Sequence, residues 1–419
     1  MNSSENSPVV ISVETYTREW ISKLRLALEL CDRDQNVVIG SLIDTRLYIQ
    51  NNPFSFYLGS GSEVEYELAT SFSSEIHTLV TEGAIYDTPE KFVKGFERYD
   101  PEKNQILLWG AETAQLFDKE LPEFRYHIMG WPRFDDYPHI YSALKHHFKK
   151  DSWHDVLIGL SHSGNNYGIY GTSTQDDRLE FEDFMTDIVA VMTELQDINF
   201  LLRPHPSGDR AKLEPYINQL PNVKISKGDD VGLEIVDASL VIHQNSTLGI
   251  ESMLCKVPAI SYYPKENYIA GGLGDAISKV VVGVGDLFNV CEYPDNIRMT
   301  SESSDLEEHI VNINPKENST ESLISYIMKN RKNDVLSSNQ VKLEDILYSG
   351  IAKLFSSEIT GTARKYNPLR RVRYSYNKFP TLDNLVLQEQ IECLCDLFEI
   401  SPPQFDRVES YENLIALRP

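Results

Sequence analysis

The stretch that decides the fold lies between residues 199 and 264 and contains two similar segments, Asn199-Phe200-Leu201-Leu202-Arg203-Pro204-His205-Pro206 and Leu240-Val241-Ile242-His243-Gln244-Asn245-Ser246-Thr247-Leu248-Gly249. In each segment an apolar run ends abruptly in polar residues, and a helical pattern follows. Short apolar strands that alternate with helices are typical of a mostly parallel α/β sheet, where polar residues at the carboxyl ends of strands face the ligand crevice. We therefore expect both polar loops to lie at one edge of a sheet.

The same alternation extends along most of the 419-residue chain, which is long for a single core. It restarts near residues 138–153, so the sequence predicts two Rossmann-like, doubly wound parallel-sheet domains that face a cleft. The predicted boundaries are 1–150 for the first domain and 151–360 for the second. Residues 361–419 are predicted to form a helical extension whose composition is first basic and then acidic.

The net charge of −24 comes from 63 acidic and 39 basic residues. Nucleic-acid binding requires a basic surface, so this balance argues against a nucleic-acid partner. The five cysteines have the spacing of neither a zinc site nor a disulfide framework. The polar amino terminus lacks a signal-peptide core, and no apolar run reaches the length of a membrane span. We expect a cytoplasmic protein.

The first polar loop suggests a phosphate contact. Two prolines fix the chain as it leaves the strand and would hold His205 rigidly at the crevice, next to Arg203. An imidazole that donates its N–H could bind a phosphate and stabilise it as a leaving group. The alternative is a strand-end turn with an exposed histidine.

The second polar loop opens a helix. Asn245 or Ser246 suits the N-cap, which is the structural alternative. In the functional interpretation, Ser246 and Thr247 hydroxyls join the first free N–H groups of the helix around a phosphate. Glu251 would then lie one turn into the helix, placed to accept hydrogen bonds from ribose hydroxyls.

These two loops resemble the His-Pro and Ser/Thr motifs of GT-B glycosyltransferases that use CMP-activated sugars, such as bacterial sialyltransferases and Kdo transferases. Two further stretches resemble bacterial surface-carbohydrate biosynthesis proteins of that fold, namely residues 13–20 with Lys23-Leu24, and Gly130-Trp131-Pro132-Arg133-Phe134-Asp135, where that family usually has Asn at the second position. The resemblance covers roughly residues 9–265 and is strongest to retaining β-Kdo transferases of O-antigen, lipopolysaccharide and capsule assembly. It implies a GT-B fold and a CMP-sugar donor.

The resemblance also implies catalytic residues. Glu82 matches one acidic residue of an acidic-acidic-Gly motif and would act as general acid/base; its alternative is a turn residue before Gly83. Asp230 would be the nucleophile of a retaining reaction, and Asp229 could take its place. The alternative for this pair is a helix N-cap. His162 and Asn165 lie in a polar loop that would reach the donor phosphate or the acceptor.

The function predicted from these residues is transfer of Kdo, or a related acidic sugar, from its CMP form to a glycan or lipid-linked glycan acceptor. We expect neither cofactor nor metal, because protein donors would neutralise the leaving phosphate. Two alternatives stay open: a CDP-glycerol or CDP-ribitol phosphotransferase of teichoic-acid type, and a non-catalytic nucleotide-sugar binding module of a larger assembly enzyme.

The segment 361–380 contains six basic residues, no acidic residue and several interleaved aromatic residues. It could hold the protein at anionic lipid of the inner membrane, with about 1 kcal/mol contributed per basic residue near the surface. The alternative is a solvated helix face, or a brace against acidic surfaces of the same chain.

Overall fold

The computed structural model describes residues 7–52, 54–61, 76–81, 83, 89–97, 99–149, 153–160, 175–205, 210–228, 230–269, 271–297, 306–307, 309–310, 318–331, 379, 381–408, 411 and 413–419. The chain divides into two compact units. The first consists of residues 1–84, 89–135 and 306–419, and the second of residues 85–88 and 136–305.

Six parallel strands begin the first unit: β1 (Val9–Val13), β2 (Val37–Ser41), β3 (Phe56–Gly59), β4 (Ile76–Leu79), β5 (Asn104–Leu108) and β6 (Arg125–Ile128). Their order in the sheet is β2-β1-β3-β4-β5-β6. Every residue of β1 is buried, as expected for a central parallel strand covered on both faces. The strand order reverses between β1 and β3, which is the switch point of this sheet.

The helices of this part are α1 (Tyr16–Cys31), α2 (Leu42–Asn51), α3 (Pro89–Lys94) and α4 (Ala111–Glu120). The sequence predicts one buried stripe on α1, and its four members, Trp20, Leu24, Ala27 and Leu28, are fully buried. Residues on the opposite side, such as Ser22, Arg25 and Leu26, are buried as well, so α1 is covered on nearly all sides and not on one face only.

The second unit has a sheet of six parallel strands: β7 (Val156–Gly159), β8 (Phe200–Arg203), β9 (Val223–Ile225), β10 (Leu240–His243), β11 (Ala259–Tyr263) and β12 (Lys279–Val282). The order is β12-β11-β10-β7-β8-β9. Numbered from its own first strand, this is the Rossmann order 3-2-1-4-5-6, with its switch point between β7 and β10.

The helices of the second unit are α5 (Tyr137–His147), α6 (Gln175–Glu194), α7 (Glu214–Ile217), α8 (Val231–Ile235), α9 (Leu248–Leu254), α10 (Leu273–Ile277) and α11 (Val284–Glu292). The periodic apolar positions of α6, from Phe181 to Met192, pack into the core as predicted. Successive residues of β7 enter different cores: Ile158 joins the core that contains α6, and Leu157 joins one that contains residues of α8. Both faces of the sheet are thus covered, as in a doubly wound fold.

The chain then returns to the first unit with α12 (Ser319–Asn330), α13 (Asn384–Phe398), β13 (Gln404–Arg407) and β14 (Leu414–Arg418). Strand β14 pairs antiparallel with β2, and β13 pairs antiparallel with β14. These additions extend the first sheet to eight strands.

The compact units differ from the boundaries predicted in the sequence. Helix α5 belongs to the second unit, and the described residues beyond 306 belong to the first. The carboxyl-terminal extension contains the expected acidic helix, α13, but it also contributes two strands that the sequence analysis did not predict. The basic segment 361–378 lies outside the described residues. Among the helices that the structure describes, none combines the length and apolarity needed to cross a bilayer.

Candidate functional site

The candidate site lies at the carboxyl edge of the second sheet. Strands β8 and β10 both pair with β7, one on each side. Their carboxyl ends are therefore two strand spacings apart, or about 10 Å. Strand β8 ends at Arg203, the loop after it carries His205, and the loop after β10 carries residues 245–247. The topology brings these two loops to one edge, on either side of β7 and next to the switch point.

Arg203, the last residue of β8, has an internal anionic partner. Its Nη1 donates to Glu234 Oε2 over 2.6 Å, and both side chains are largely buried. The other oxygen of Glu234 accepts from Ser226 Oγ at 2.5 Å. The sequence analysis missed Glu234, which fixes the position of the guanidinium group. His205, two residues further on, is half-buried.

Asp230 is the N-cap of α8. It is 5% exposed, and its Oδ1 accepts from the Gly232 N–H at 3.1 Å. This is the helix-capping role that the sequence analysis gave as the alternative. The nucleophile role stays a prediction.

Glu251 is buried within the second unit. It lies in α9 with 2% of its surface exposed, and its Oε2 accepts from the Tyr137 hydroxyl at 3.1 Å. The tyrosine on α5 is a partner that the sequence did not indicate. Contact between Glu251 and a ribose stays a prediction.

The loop after β10 is held by several polar contacts. Asn245 adopts a left-handed conformation with φ of 37°. Its N–H donates to Ser261 Oγ at 3.1 Å, and its Oδ1 accepts from the Gly274 N–H at 3.0 Å. Ser246 Oγ accepts from the Leu248 N–H at 3.4 Å. The loop is thus supported by Ser261 of β11 and by Gly274 of α10.

These contacts reduce the number of loop N–H groups that are available to a phosphate. The N–H groups of Ser246 and Leu248, at the start of α9, already face protein acceptors. Thr247 is the half-buried N-cap residue, and its side chain does not cap the helix. Within the part of the chain that the structure describes, neither its N–H nor its hydroxyl forms a hydrogen bond. Thr247 is therefore the loop residue best able to donate to a ligand.

A neutral histidine lies beneath the loop. His243 ends β10 and is completely buried, and burial lowers its pKa to about 4. Its Nδ1 accepts from the Ser246 N–H at 3.4 Å, so its Nε2 carries the proton and donates to Ser278 Oγ at 2.9 Å. The sequence analysis missed this residue, although its position at the end of an apolar strand could have indicated it.

The switch point itself is tightly packed. A Cβ atom on Gly159, the last residue of β7, would overlap the side chain of Leu248 at the start of α9. Glycine at this position lets α9 begin directly beside the end of β7.

Several predicted site residues fall outside the described residues: Glu82, His162, Asn165 and Asp229. Of the residues beside Glu82, Thr81 is buried, and Gly83 lies against the Trp109 ring with no room for a Cβ atom. The roles predicted for the four residues stay predictions.

The motif Gly130–Asp135 has a structural role in the first unit. Trp131 stacks on Trp109 with ring centroids 5.1 Å apart. The Asp135 carboxylate accepts from the Ser319 N–H at 3.1 Å and the Thr320 N–H at 2.6 Å, which caps α12. Burial raises the pKa of Asp135 to about 6, although these hydrogen bonds oppose the shift. The motif therefore fastens a late helix to the amino-terminal sheet.

A buried ion pair marks the switch point of the first sheet. Lys23 Nζ lies 2.7 Å from Glu19 Oε2 and also donates to the Ser12 carbonyl and to Ser60 Oγ. Burial acts to raise the pKa of Glu19, but the charges of Lys23 and Arg18 hold it below its usual value. Lys23 and Glu19 belong to a stretch that resembles surface-carbohydrate proteins, and their contacts here are internal.

No protein-family model matches the sequence, and no curated protein sequence matches it. Among solved structures, the chain is similar to the S. aureus MnaA–UDP co-structure, with 8% identity over 80% of this chain and 100% of that chain and a TM-score of 0.51. It is also similar to the wall teichoic acid polymerase TagF, in a variant soaked with CDPG, with 11% identity over 77% of this chain and 88% of that chain and a TM-score of 0.50. At these identities the similarity concerns the fold. The chain therefore has the GT-B fold, with two Rossmann-like parallel-sheet units, as the sequence predicts.

Proposed function

We propose that the chain is a transferase that uses a nucleotide-activated donor, and that its second unit holds the nucleotide. The observation that carries this proposal is the position of the two polar loops. They lie on either side of β7, about 10 Å apart, at the carboxyl edge of a sheet with Rossmann order, and the loop after β10 borders the switch point, where such sheets bind nucleotides.

In this proposal Thr247 donates to the leaving phosphate from one side, and His205 donates from the other. Arg203, two residues before His205, is held in place by Glu234, whose carboxylate offsets its charge. Donors fixed by the fold stabilise a developing negative charge without reorganising during the reaction. In this proposal the leaving phosphate is stabilised by these hydrogen-bond donors, without a metal ion.

The first candidate reaction is transfer of an acidic sugar such as Kdo from its CMP form to a surface-polysaccharide acceptor. The His-Pro and Ser/Thr motifs support it. Glu82 would accept the proton of the attacking hydroxyl. If configuration is retained, Asp230 would first form the covalent sugar adduct.

The second candidate is a CDP-glycerol or CDP-ribitol phosphotransferase. The similarity to the TagF structure favours this alternative over other nucleotide-dependent reactions. Both candidates release CMP, but only the second transfers phosphorus to the product.

The test is to titrate the protein with CMP and UDP by calorimetry, and then to incubate it with CMP-Kdo, CMP-sialic acid and CDP-glycerol in the presence of glycan acceptors. We expect CMP to bind and one donor to release it. Phosphorus NMR of the product distinguishes the two reactions. Failure of CMP to bind, with no release from any of these donors, would refute the proposal.

Asp230→Asn separates catalysis from folding, because asparagine caps helices about as well as aspartate. If Asp230 is the nucleophile, the variant should retain its unfolding temperature and lose turnover. A near wild-type rate would leave Asp230 with its capping role alone.

A further inference from the structure

A buried carboxylate supports the loop after β10 through Ser261 of the neighbouring strand, β11. Asp275, on α10, is 7% exposed. It accepts hydrogen bonds from Ser261 Oγ at 2.5 Å, from the Tyr263 hydroxyl at 2.9 and 3.0 Å, and from the Gly271 N–H at 2.7 Å. These donors are all neutral, so they orient the carboxylate without cancelling its charge.

Asp275 reaches the loop through Ser261. The Ser261 hydroxyl has one hydrogen, which it donates to Asp275, and its oxygen is then left to accept the Asn245 N–H at 3.1 Å. The Gly274 N–H, from the residue before Asp275, donates to Asn245 Oδ1 at 3.0 Å. Asn245 is thus held through both its backbone and its side chain.

This support fixes a strained residue. Asn245 has a φ of 37°, in the left-handed region that only a few residue types tolerate. Such a conformation persists where the surrounding contacts over-determine it. Because Thr247 is only two residues away, the direction of its N–H and hydroxyl depends on how Asn245 is held.

We propose that Asp275 is a positioning residue for the nucleotide-phosphate loop, acting through Ser261 and Asn245 on Thr247. The inference rests on the proposed function, since it assumes that a nucleotide phosphate contacts Thr247. Among the described residues, only neutral groups donate to Asp275, and a buried carboxylate without a cationic partner is costly; a packed apolar residue is often more stable in such a place. Asp275 instead contributes by holding the loop after β10 in a single well-defined geometry.

The chain offers a matched control in the adjacent residue of the same strand. The Tyr262 hydroxyl donates to Asp187 Oδ2 at 2.6 Å, whereas the Tyr263 hydroxyl donates to Asp275. Successive residues of a strand face opposite sides of the sheet. Asp187→Asn therefore alters a similar tyrosine–aspartate contact in the same unit without touching the loop.

The experiment compares Asp275→Asn with Asp187→Asn. Hydrogen exchange at the Asn245 and Ser246 amides is measured without ligand, and CMP affinity is measured by calorimetry. We expect faster exchange at both amides in Asp275→Asn, and CMP binding weakened by about 10- to 100-fold, the loss expected when one hydrogen bond to a charged phosphate is broken. Asp187→Asn should change neither quantity.

A double mutant tests whether the effect passes through Thr247. In a Thr247→Ala background, Asp275→Asn should weaken CMP binding much less than it does alone, because the two substitutions damage the same contact. A purely structural role would give the same loss in both backgrounds and would overturn the inference. Unchanged amide exchange in Asp275→Asn would overturn it as well.

The wild-type titration distinguishes the two possible failures. If the wild type binds CMP and Asp275→Asn binds it equally well, the positioning role is wrong and the proposed function stands. If the wild type does not bind CMP, the proposed function fails, and Asp275 is reduced to a structural brace.

Discussion

Gly274→Ala should damage the candidate site without removing any of its side chains. A Cβ atom on Gly274 would lie 2.5 Å from Ser246 N, 2.6 Å from Asn245 C and 2.8 Å from Asn245 Cα. All three are backbone atoms, so no side chain can rotate away to make room. The loop after β10 must move instead.

The size of the movement follows from these distances. Ordinary contacts of a Cβ atom lie at 3.4–4 Å, so the loop must shift by about 1 Å. Forcing an extra carbon into a packed site lowers the free energy of unfolding by about 1–3 kcal/mol. The preference of a helix for alanine over glycine offsets up to about 1 kcal/mol of this loss. A shift of about 1 Å is enough to break a hydrogen bond from Thr247 to the phosphate, and the loss of one such bond to a charged group weakens binding by about 10- to 100-fold. We therefore expect a modest loss of stability and a large loss of CMP affinity.

Gly285→Ala is the control. Gly285 lies in α11 of the same unit, and a Cβ atom there would meet no heavy atom of the described chain within 4 Å. Urea unfolding and calorimetric titration with CMP should show unchanged affinity and equal or slightly greater stability for this variant. If Gly274→Ala bound CMP as tightly as Gly285→Ala and the wild type, the loop would not be the phosphate contact that we infer.

Three further predictions, at Asp135, Lys23 and Leu417, test the framework of the first unit. The pKa of Asp135 is raised from 3.8 to about 6, so the folded state binds this proton more tightly than the unfolded state does. The protonated carboxyl therefore contributes stability that is complete below pH 3.8. That contribution is lost as the pH rises through 6. Asp135→Asn should remove about 3 kcal/mol of that pH dependence, measured as urea midpoints between pH 4 and 7. Lys23→Met should lower the free energy of unfolding by about 3–5 kcal/mol by removing the cation that is hydrogen-bonded to the buried Glu19, and adding Glu19→Gln should recover much of the loss. Leu417→Ala, at a fully buried position of β14, should cost about 2–5 kcal/mol, whereas Leu385→Ala, at a position 66% exposed, should change stability by less than about 0.5 kcal/mol.

The fold could be predicted where hydrophobic periodicity is local. The spacing of apolar residues in α6 determines one buried face, and the strands β7, β8 and β10 each appear as an apolar run that ends in polar residues. Because parallel strands end at a common edge, the same pattern also predicts that the two polar loops share that edge.

The carboxyl-terminal strands could not be predicted in this way. Residues 414–418 form a short apolar run, but its partner, β2, lies more than 370 residues earlier in the chain. A run of this kind does not specify its partner, and a short apolar stretch is equally compatible with a buried helix. Strand β13 is partly exposed and lacks an apolar pattern, so only its pairing with β14 identifies it.

The candidate site shows a similar limit at the level of side chains. Motif spacing identifies residues at strand ends, but it does not show which of them have partners inside the protein. Arg203 is paired with Glu234, 31 residues further along, and Glu251 accepts from Tyr137, 114 residues earlier. Glu234 lies on α8 and Tyr137 lies on α5, and nothing in the sequence around Arg203 or Glu251 indicates these partners.

The support of the loop after β10 follows from sheet register. In the parallel pair β10–β11, His243 lies opposite Ser261. The chain of β10 therefore leaves the sheet beside a side chain of β11, and the Asn245 N–H, two residues later, reaches the Ser261 oxygen. Helix α10 then brings Asp275 to the other side of the same hydroxyl. At the switch point, the connections that follow β7 and β10 run to opposite sides of the sheet. The loop after β10 is therefore supported mainly from the side of β11. We therefore expect the residues that shape the proposed ligand site to include Ser261 of β11 and Asp275 of α10, in addition to those after β8 and β10.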